Sequence, residues 1–331
     1  TDCHTPAHLN DQLCGNLCRC TGYRPIRDAA LSACSRRKLG DTPAGDPLTA
    51  RLQGQPPLLS ELAYAVDGRT FFRPTSLAEL FALLASEPAA RLIAGGTEIG
   101  VEVNKKFRDF PCLISTEAVP ELNVLQPAHD GGWQIGAAVS LTSLETKVAP
   151  SYPPLARMLR VFAARQIRNR ATLGGNLATA SPIGDTAPVL LSLDAALVLT
   201  SAQGERTIPL ADFFTGYRQT ALLVGEIIRE IRLPPFSAPA GCTRRADFLK
   251  VSHRRELDIS IVASAFLLDL DPAGRVRHAR LAFGGVAERP RRAVEAEQFL
   301  LGRSPAEASE GVAAILARTF APIDDLRASA A

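Results

Sequence analysis

Two glycine pairs govern what this chain can fold into. Leu92-Ile93-Ala94 reads as a short strand and runs into Gly95-Gly96-Thr97, and Ala171-Thr172-Leu173 runs into Gly174-Gly175-Asn176. Backbone without side chains turns sharply, and its amide N–H groups can approach an anion near a helix N-terminus. Neither stretch fits G-x-G-x-x-G, and no G-x-x-x-x-G-K-[ST] loop is present, so the common dinucleotide and triphosphate fingerprints are missing. A lone Gly-Gly pair is most often only a turn. Two in successive α/β units, followed by Ser181 and Asp185 as polar partners for a sugar-like chain, could embrace one extended ligand.

The surrounding pattern supports α/β units. Ser76-Leu77-Ala78-Glu79 has the capping-box spacing, and Leu77, Leu80, Phe81 and Leu84 share a face, which predicts a helix over 76–86. Strands are expected at 91–94, 112–115 and 133–136, and a helix over 154–164. Residues 195–210 read as a hairpin turning at Gln203-Gly204. Longer strands follow at 226–233, 248–252, 260–270 and 275–283. Ala279, Leu281 and Phe283 alternate with Arg280 and Ala282, the period of a half-buried antiparallel strand. Helices over 293–301 and 305–320 close the chain. The expected class is therefore α+β. Its divisions are a cysteine-bearing helical segment over 1–36, a Pro- and Gly-rich linker over 37–68, an α/β domain over 69–238 and a strand-then-helix domain over 239–331.

Five of the seven cysteines, Cys3, Cys14, Cys18, Cys20 and Cys34, crowd into the first tenth of the chain. Such crowding at one end of a large chain suits a metal or cluster site better than a disulfide scaffold. Cys18 and Cys20 form a C-x-C pair, whose thiolates suit iron. Surface thiols, or zinc held with Cys3, Cys14 and His4, are the alternatives. Cys112 and Cys242 sit in apolar segments and read as inert core residues.

With 46% hydrophobic and 21% charged residues among 331, the composition is globular and long enough for two or three cores. A net charge of +3, with the arginines of 165–170 interleaved with apolar residues, argues against nucleic acid. No apolar run approaches the roughly 20 residues of a membrane helix, and the start lacks a secretory signal, so the cytoplasm is expected.

Leu17-Cys18-Arg19-Cys20-Thr21-Gly22-Tyr23-Arg24-Pro25-Ile26 closely resembles the second half of the helical 2Fe-2S domain of the xanthine dehydrogenase and aldehyde oxidase family of molybdenum hydroxylases. Leu92–Gly100, Thr172–Asp185, and Lys250 with the following Arg254-Arg255-Glu256-Leu257-Asp258-Ile259 resemble the FAD domain of that family, of the vanillyl-alcohol-oxidase type. The segment after Lys250 resembles the carbon monoxide dehydrogenase flavoprotein C-terminal domain.

By resemblance, Cys18 and Cys20 would ligate the cluster together with an upstream C-x-x-C that would fall ahead of Thr1. The expectation is thus a fragment cut at both ends, or ligation taken over by Cys3 and Cys14. Ala94, Gly95, Gly96, Thr97, Glu98 and Ile99, after Leu92, would wrap the FAD pyrophosphate. Thr172, Gly175, Asn176 and Ser181 would line the cofactor, and Asp185 would take a ribityl or ribose hydroxyl. Lys250 would stand beside the flavin, and Phe162 would pack against its ring, although alone it reads as a core Phe on a helix. Tyr217 and Glu98 would face the nicotinamide of NAD, with Arg254-Arg255 nearby.

The resemblance implies an electron-transfer flavoprotein subunit of the xanthine dehydrogenase type. Electrons from xanthine or hypoxanthine would pass from molybdopterin on a large partner subunit, through 2Fe-2S clusters, to FAD and on to NAD, in a heterotetramer of two small and two large subunits. The same subunit in a related aldehyde or heterocycle hydroxylase is one alternative. A zinc-stabilised, non-redox nucleotide-binding or scaffold module is the other.

Overall fold

The computed structural model describes residues 5–16, 20–36, 59–254, 257–325 and 328–329. Helix α1 (Pro6–Leu13) is capped by the Thr5 hydroxyl, which accepts from the His8 amide, and it buries Leu9. Helix α2 (Tyr23–Arg36) contains the expected 26–34 helix and begins three residues earlier. Pro25 fits there because the first-turn amides have no intrahelical acceptor.

The first lobe starts inside the stretch that composition reads as linker. Strands β1 (Leu62–Val66) and β2 (Arg69–Arg73) form an antiparallel hairpin with Val66 opposite Arg69. Its turn is Asp67-Gly68, both at positive φ (49° and 75°), the conformation that two-residue hairpins prefer. Helix α3 (Leu77–Ser86) begins at Ser76, whose hydroxyl accepts from the Glu79 amide at 3.2 Å. Glu79 reaches back to the Thr75 amide at 2.7 Å, one residue earlier than a standard capping box. Strand β3 (Arg91–Ile93), helix α4 (Thr97–Lys106) and strand β4 (Cys112–Ser115) complete the lobe. The sheet order is β1-β2-β4-β3, with β4 parallel to both β2 and β3. Leu80, Ile114, Val119 and Leu122 form its core, and Cys112 is buried beside them as expected.

The second lobe is built differently from the expected repeat of an α/β unit. Strands β5 (Leu125–Pro127) and β6 (Trp133–Gly136) precede helices α5 (Leu141–Lys147), α6 (Pro153–Val161), α7 (Arg165–Arg168), α8 (Leu173–Ala178) and α9 (Thr186–Ser192). Strands β7 (Ala196–Ser201) and β8 (Gly204–Pro209) form the expected hairpin, β9 (Phe214–Gly216) and β10 (Gln219–Thr220) a small ribbon, and β11 (Ile227–Leu233) returns to the centre. The main sheet, ordered β5-β6-β11-β7-β8, is antiparallel throughout. Helix α6 stops at Val161 rather than running to 164: Phe162 is already extended and Ala163 turns to φ 44°. The second glycine pair lies within the first turn of α8 and not in a loop. Tyr152 is buried, donates to the Pro234 carbonyl at 2.8 Å, and has its phenol pushed up to about 12, chiefly by burial.

The last region continues the same core. Strands β12 (Thr243–Val251), β13 (Val262–Leu270), β14 (Val276–Gly284) and β15 (Arg291–Arg292) form an antiparallel meander, followed by α10 (Val294–Leu300) and α11 (Pro305–Thr319). One face, with Phe248, Ala263, Ala265, Leu267 and Ala282, joins the second lobe's core against α6 and α9. The other face packs Val276, Ala279 and Leu281 under α10 and α11. Strand β14 is thus covered on both sides: its periodicity marks two interfaces, and Arg280 on the expected polar face is held by Asp194 at 2.7 Å. Helix α9, sandwiched between lobe and meander, is buried at every residue, and its two polar residues, Thr186 and Ser192, donate to the Asn176 side chain and the Val189 carbonyl. Cys242 is half-buried in the turn before β12. No helix among the described residues is long and apolar enough to cross a membrane.

Candidate functional site

The two glycine turns, 80 positions apart in the chain, meet in space. A Cβ on Gly95 would lie 1.8 Å from the Arg170 carbonyl oxygen, so only glycine lets these backbones touch. A Cβ on Gly175 would lie 3.9 Å from that of Ala94 and 2.8 Å from the Thr172 hydroxyl. The N-terminus of α8 therefore stands beside the turn that opens α4. Gly174 is equally confined, against Ala137.

The two helix starts are chemically unequal. At α8, the buried Thr172 hydroxyl accepts from the Gly175 amide at 3.1 Å. At α4, the N-cap is Gly96, in the left-handed region at φ 75°, and it supplies no side-chain cap. The amides of Thr97, Glu98 and Ile99 thus start a ten-residue helix without a capping oxygen, which suits an incoming anion. Gly100 has open space where a Cβ would stand. This uncapped turn, with Leu92 in the middle of β3 leading toward it, fits a pyrophosphate.

Around this junction lie the other expected residues. Asn176 accepts from the Thr186 hydroxyl, and the Ser181 hydroxyl accepts from the Ile183 amide at 3.4 Å. Phe162 caps the end of α6 in extended conformation and packs, half-buried, on the central core; the expected helical setting is wrong for it. Tyr217 is 63% exposed between β9 and β10, and its neighbour Arg218 meets Glu98 at 3.5 Å. The residue after Tyr217 thus pairs with Glu98 across the two segments.

Asp185 and Lys250 are more deeply engaged than a ligand-facing reading anticipates. Asp185 is only 5% exposed; its carboxylate accepts from Lys250 Nζ at 2.9 Å and from the Ser260 hydroxyl at 2.5 Å. Lys250 also donates to the Val161 carbonyl at 3.3 Å and the Asp258 carbonyl at 2.8 Å, which occupies its three protons. The pair binds the meander to the end of α6 and the start of α9. Asp258 in turn accepts from the Arg254 amide at 2.8 Å, the main reason its carboxyl lies below the ordinary range. Arg255 lies outside the described residues.

Sequence reasoning missed Arg168. Its side chain, 3% exposed, donates to the Phe162 and Ala163 carbonyls at 3.0 and 3.2 Å, to Glu145 at 3.1 Å and to Asp11 at 3.2 Å. Read as one of several arginines interleaved with apolar residues, it gave no signal beyond that alternation. Together with Lys250 it satisfies three successive carbonyls, Val161 to Ala163, where α6 ends. A non-glycine residue at positive φ persists only where its surroundings hold it.

Of the C-x-C pair, Cys20 is exposed and Cys18 lies outside the described residues. Among the described residues no group of three or more His, Cys, Asp or Glu side chains is placed to hold a metal. Cys14 accepts from the Arg165 amide at 3.2 Å; Cys3 and His4 lie outside the described residues.

Residues 64–236 match the family described as the FAD binding domain in molybdopterin dehydrogenase. The chain belongs to this family. Residues 247–331 match the CO dehydrogenase flavoprotein C-terminal domain. Xanthine dehydrogenase 2 of Arabidopsis thaliana is 33% identical over 366 residues, covering 89% of this chain and 26% of that protein. The chain thus spans about a quarter of the length of the curated relatives it matches. Carbon monoxide dehydrogenase from Hydrogenophaga pseudoflava superimposes with a TM-score of 0.73 at 30% identity, over 78% of this chain and 90% of that one. Quinoline 2-oxidoreductase from Pseudomonas putida 86 gives 0.69 at 30% identity, over 77% and 87%. The FAD-binding domain is therefore joined to a flavoprotein-type C-terminal domain, and both are carried on a part of what is, in the xanthine dehydrogenases, a much longer chain.

Proposed function

We propose that this chain is the flavin-bearing part of a xanthine dehydrogenase-type oxidoreductase. It would receive electrons from xanthine or hypoxanthine oxidised on a molybdopterin-binding large subunit, by way of 2Fe-2S clusters, and deliver them to NAD. FAD, when bound, supplies a carrier able to take single electrons from a cluster and return two as hydride. The observation that carries the reading is the meeting of the Gly95-Gly96 and Thr172–Asn176 turns at an uncapped helix start. The amides of Thr97, Glu98 and Ile99 would hold the pyrophosphate. Thr172, Gly175, Asn176 and Ser181 would line the cofactor from the facing turn, and Phe162 would set the ring's position. Lys250 and Asp185 would act chiefly by fixing the backbone around that ring, while Tyr217 and Glu98 would border the approach of NAD.

Cys18 and Cys20 would supply two of the four thiolates of a 2Fe-2S cluster. The xanthine preference is supported by the likeness to xanthine dehydrogenases and by the joining of a cluster motif to the flavin domain on one chain. The similarity to carbon monoxide dehydrogenase and quinoline 2-oxidoreductase supports a second reading, the same role beside a different molybdenum subunit, since substrate recognition would lie on that partner. A cytoplasmic heterotetramer of two small and two large subunits completes the proposal. Purified protein should be yellow and release one FAD per chain on denaturation. A colourless protein with stoichiometric zinc and no affinity for added FAD would refute the flavin role.

A further inference from the structure

Residues 11–15 of the N-terminal segment fasten it to the flavin domain directly behind the Phe162 turn. Asp11 on α1 accepts from Arg165 Nη1 at 2.9 Å through one oxygen and from Arg168 Nη2 at 3.2 Å through the other. Cys14 accepts from the Arg165 amide at 3.2 Å through sulfur and from Gln166 Nε2 at 3.0 Å through its carbonyl. Gly15, at φ 86°, brings the chain so near Gln166 that a Cβ there would lie 2.3 Å from its amide oxygen. Short helix α7 is therefore clasped by the segment that leads to the C-x-C pair.

Arg168 converts that clasp into control of the turn. One guanidinium nitrogen faces outward to Asp11, and another holds the Phe162 and Ala163 carbonyls, with Glu145 as the third anchor. A planar guanidinium presents its donors in a fixed fork, so shifting one arm moves the others. Ala163 at φ 44° is a conformation a side chain adopts only when held. Asp11 is the one partner of Arg168 that comes from outside the flavin domain.

We propose that Asp11 is a positioning residue for the flavin site, acting through Arg168 on the Phe162–Ala163 turn, so that docking of the cysteine-bearing segment sets the order of the flavin seat. The proposal rests on the flavin reading above. Its physical content is that loss of the Asp11 carboxylate leaves one arm of a buried guanidinium without its acceptor, and the fork re-aims at the cost of the two carbonyls.

The test compares the full chain with Asp11→Ala, Asp11→Asn and Arg165→Ala, none of which alters a group at the cofactor. Amide hydrogen exchange over 160–166 is followed in flavin-free protein, and FAD affinity and the visible circular dichroism of bound FAD in loaded protein. Asp11→Ala should speed exchange of the turn several-fold, weaken FAD binding three- to tenfold and change the dichroism band. Asp11→Asn, which keeps an acceptor oxygen for Arg168, should recover most of the loss. Arg165→Ala, which spares the Arg168 fork, should stay near wild type. Unchanged exchange and FAD affinity in Asp11→Ala, or an equal effect from Arg165→Ala, would overturn the route through Arg168. A wild-type chain that takes up no FAD would instead overturn the flavin reading beneath it, whatever the exchange rates.

Discussion

Replacing Lys250 by Met tests whether the pair at the heart of the site is structural. Lys250 and Asp185 have side chains only 5% and 6% exposed and stand 2.9 Å apart. Met matches the length and apolar stem of Lys but supplies no proton to Asp185, Val161 or Asp258. Breaking one side of a buried ion pair strands the other charge, at about 3–5 kcal/mol. For a chain of 331 residues each kcal/mol corresponds to roughly 1.5 °C, so Tm should fall by about 4–7 °C. The double variant Lys250→Met with Asp185→Asn separates charge from packing. The introduced amide still offers Ser260 an acceptor oxygen but leaves no buried anion, so the double variant should regain about 1–2 kcal/mol over Lys250→Met alone. Urea and thermal unfolding of the flavin-free protein, followed by circular dichroism, provide the measurement. A Lys250→Met protein as stable as wild type, or a double variant less stable than the single, would show that this pair does not bind the meander to α6 and α9.

The glycine junction makes an opposed pair of expectations. Gly95→Ala should cost about 3 kcal/mol, the upper end for overpacking, because its Cβ would meet the Arg170 carbonyl at 1.8 Å. Gly100→Ala, inside α4 with nothing near its Cβ, should gain about 0.5–1 kcal/mol by helix propensity; equal Tm changes in the two would refute the junction. A pH dependence is expected at Glu226, whose carboxyl is held below its ordinary value of 4.5 first by the Arg206 guanidinium, at 2.7 and 2.8 Å, and then by the Leu223 amide. Because the folded state lowers this value, the stabilisation is complete above about pH 5 and fades as acid carries the pH through the folded value. Glu226→Gln should thus lie below wild type at pH 7, and the gap should narrow as the pH is lowered in urea melts.

Much of the site was legible because its parts are local. The strands at 112–115 and 133–136, the α3 helix behind Ser76, and the hairpin turning ahead of Gly204 follow from periodicity and turn chemistry within a few residues. The β1–β2 hairpin was also written in the chain, as Asp67-Gly68 between apolar-rich runs, but the prolines and glycines upstream pulled its reading toward linker. The glycine pair of α8 misled in the other direction. Low helix propensity argued for a loop, whereas close approach to Ala137 and the Thr172 cap make a helical turn the favourable arrangement there.

The sequence by itself determined the chemistry present: glycine turns able to meet an anion, a C-x-C pair suited to iron, and a strand-rich end with the alternation of half-buried strands. Only the tertiary structure decided which groups share a place. Asp185 and Lys250 are 65 residues apart and Asp11 and Arg168 157 apart, and nothing in the local pattern of either partner names the other. Periodicity reports which side of an element is apolar; it carries no information about which charged group waits across the interface when that side is buried.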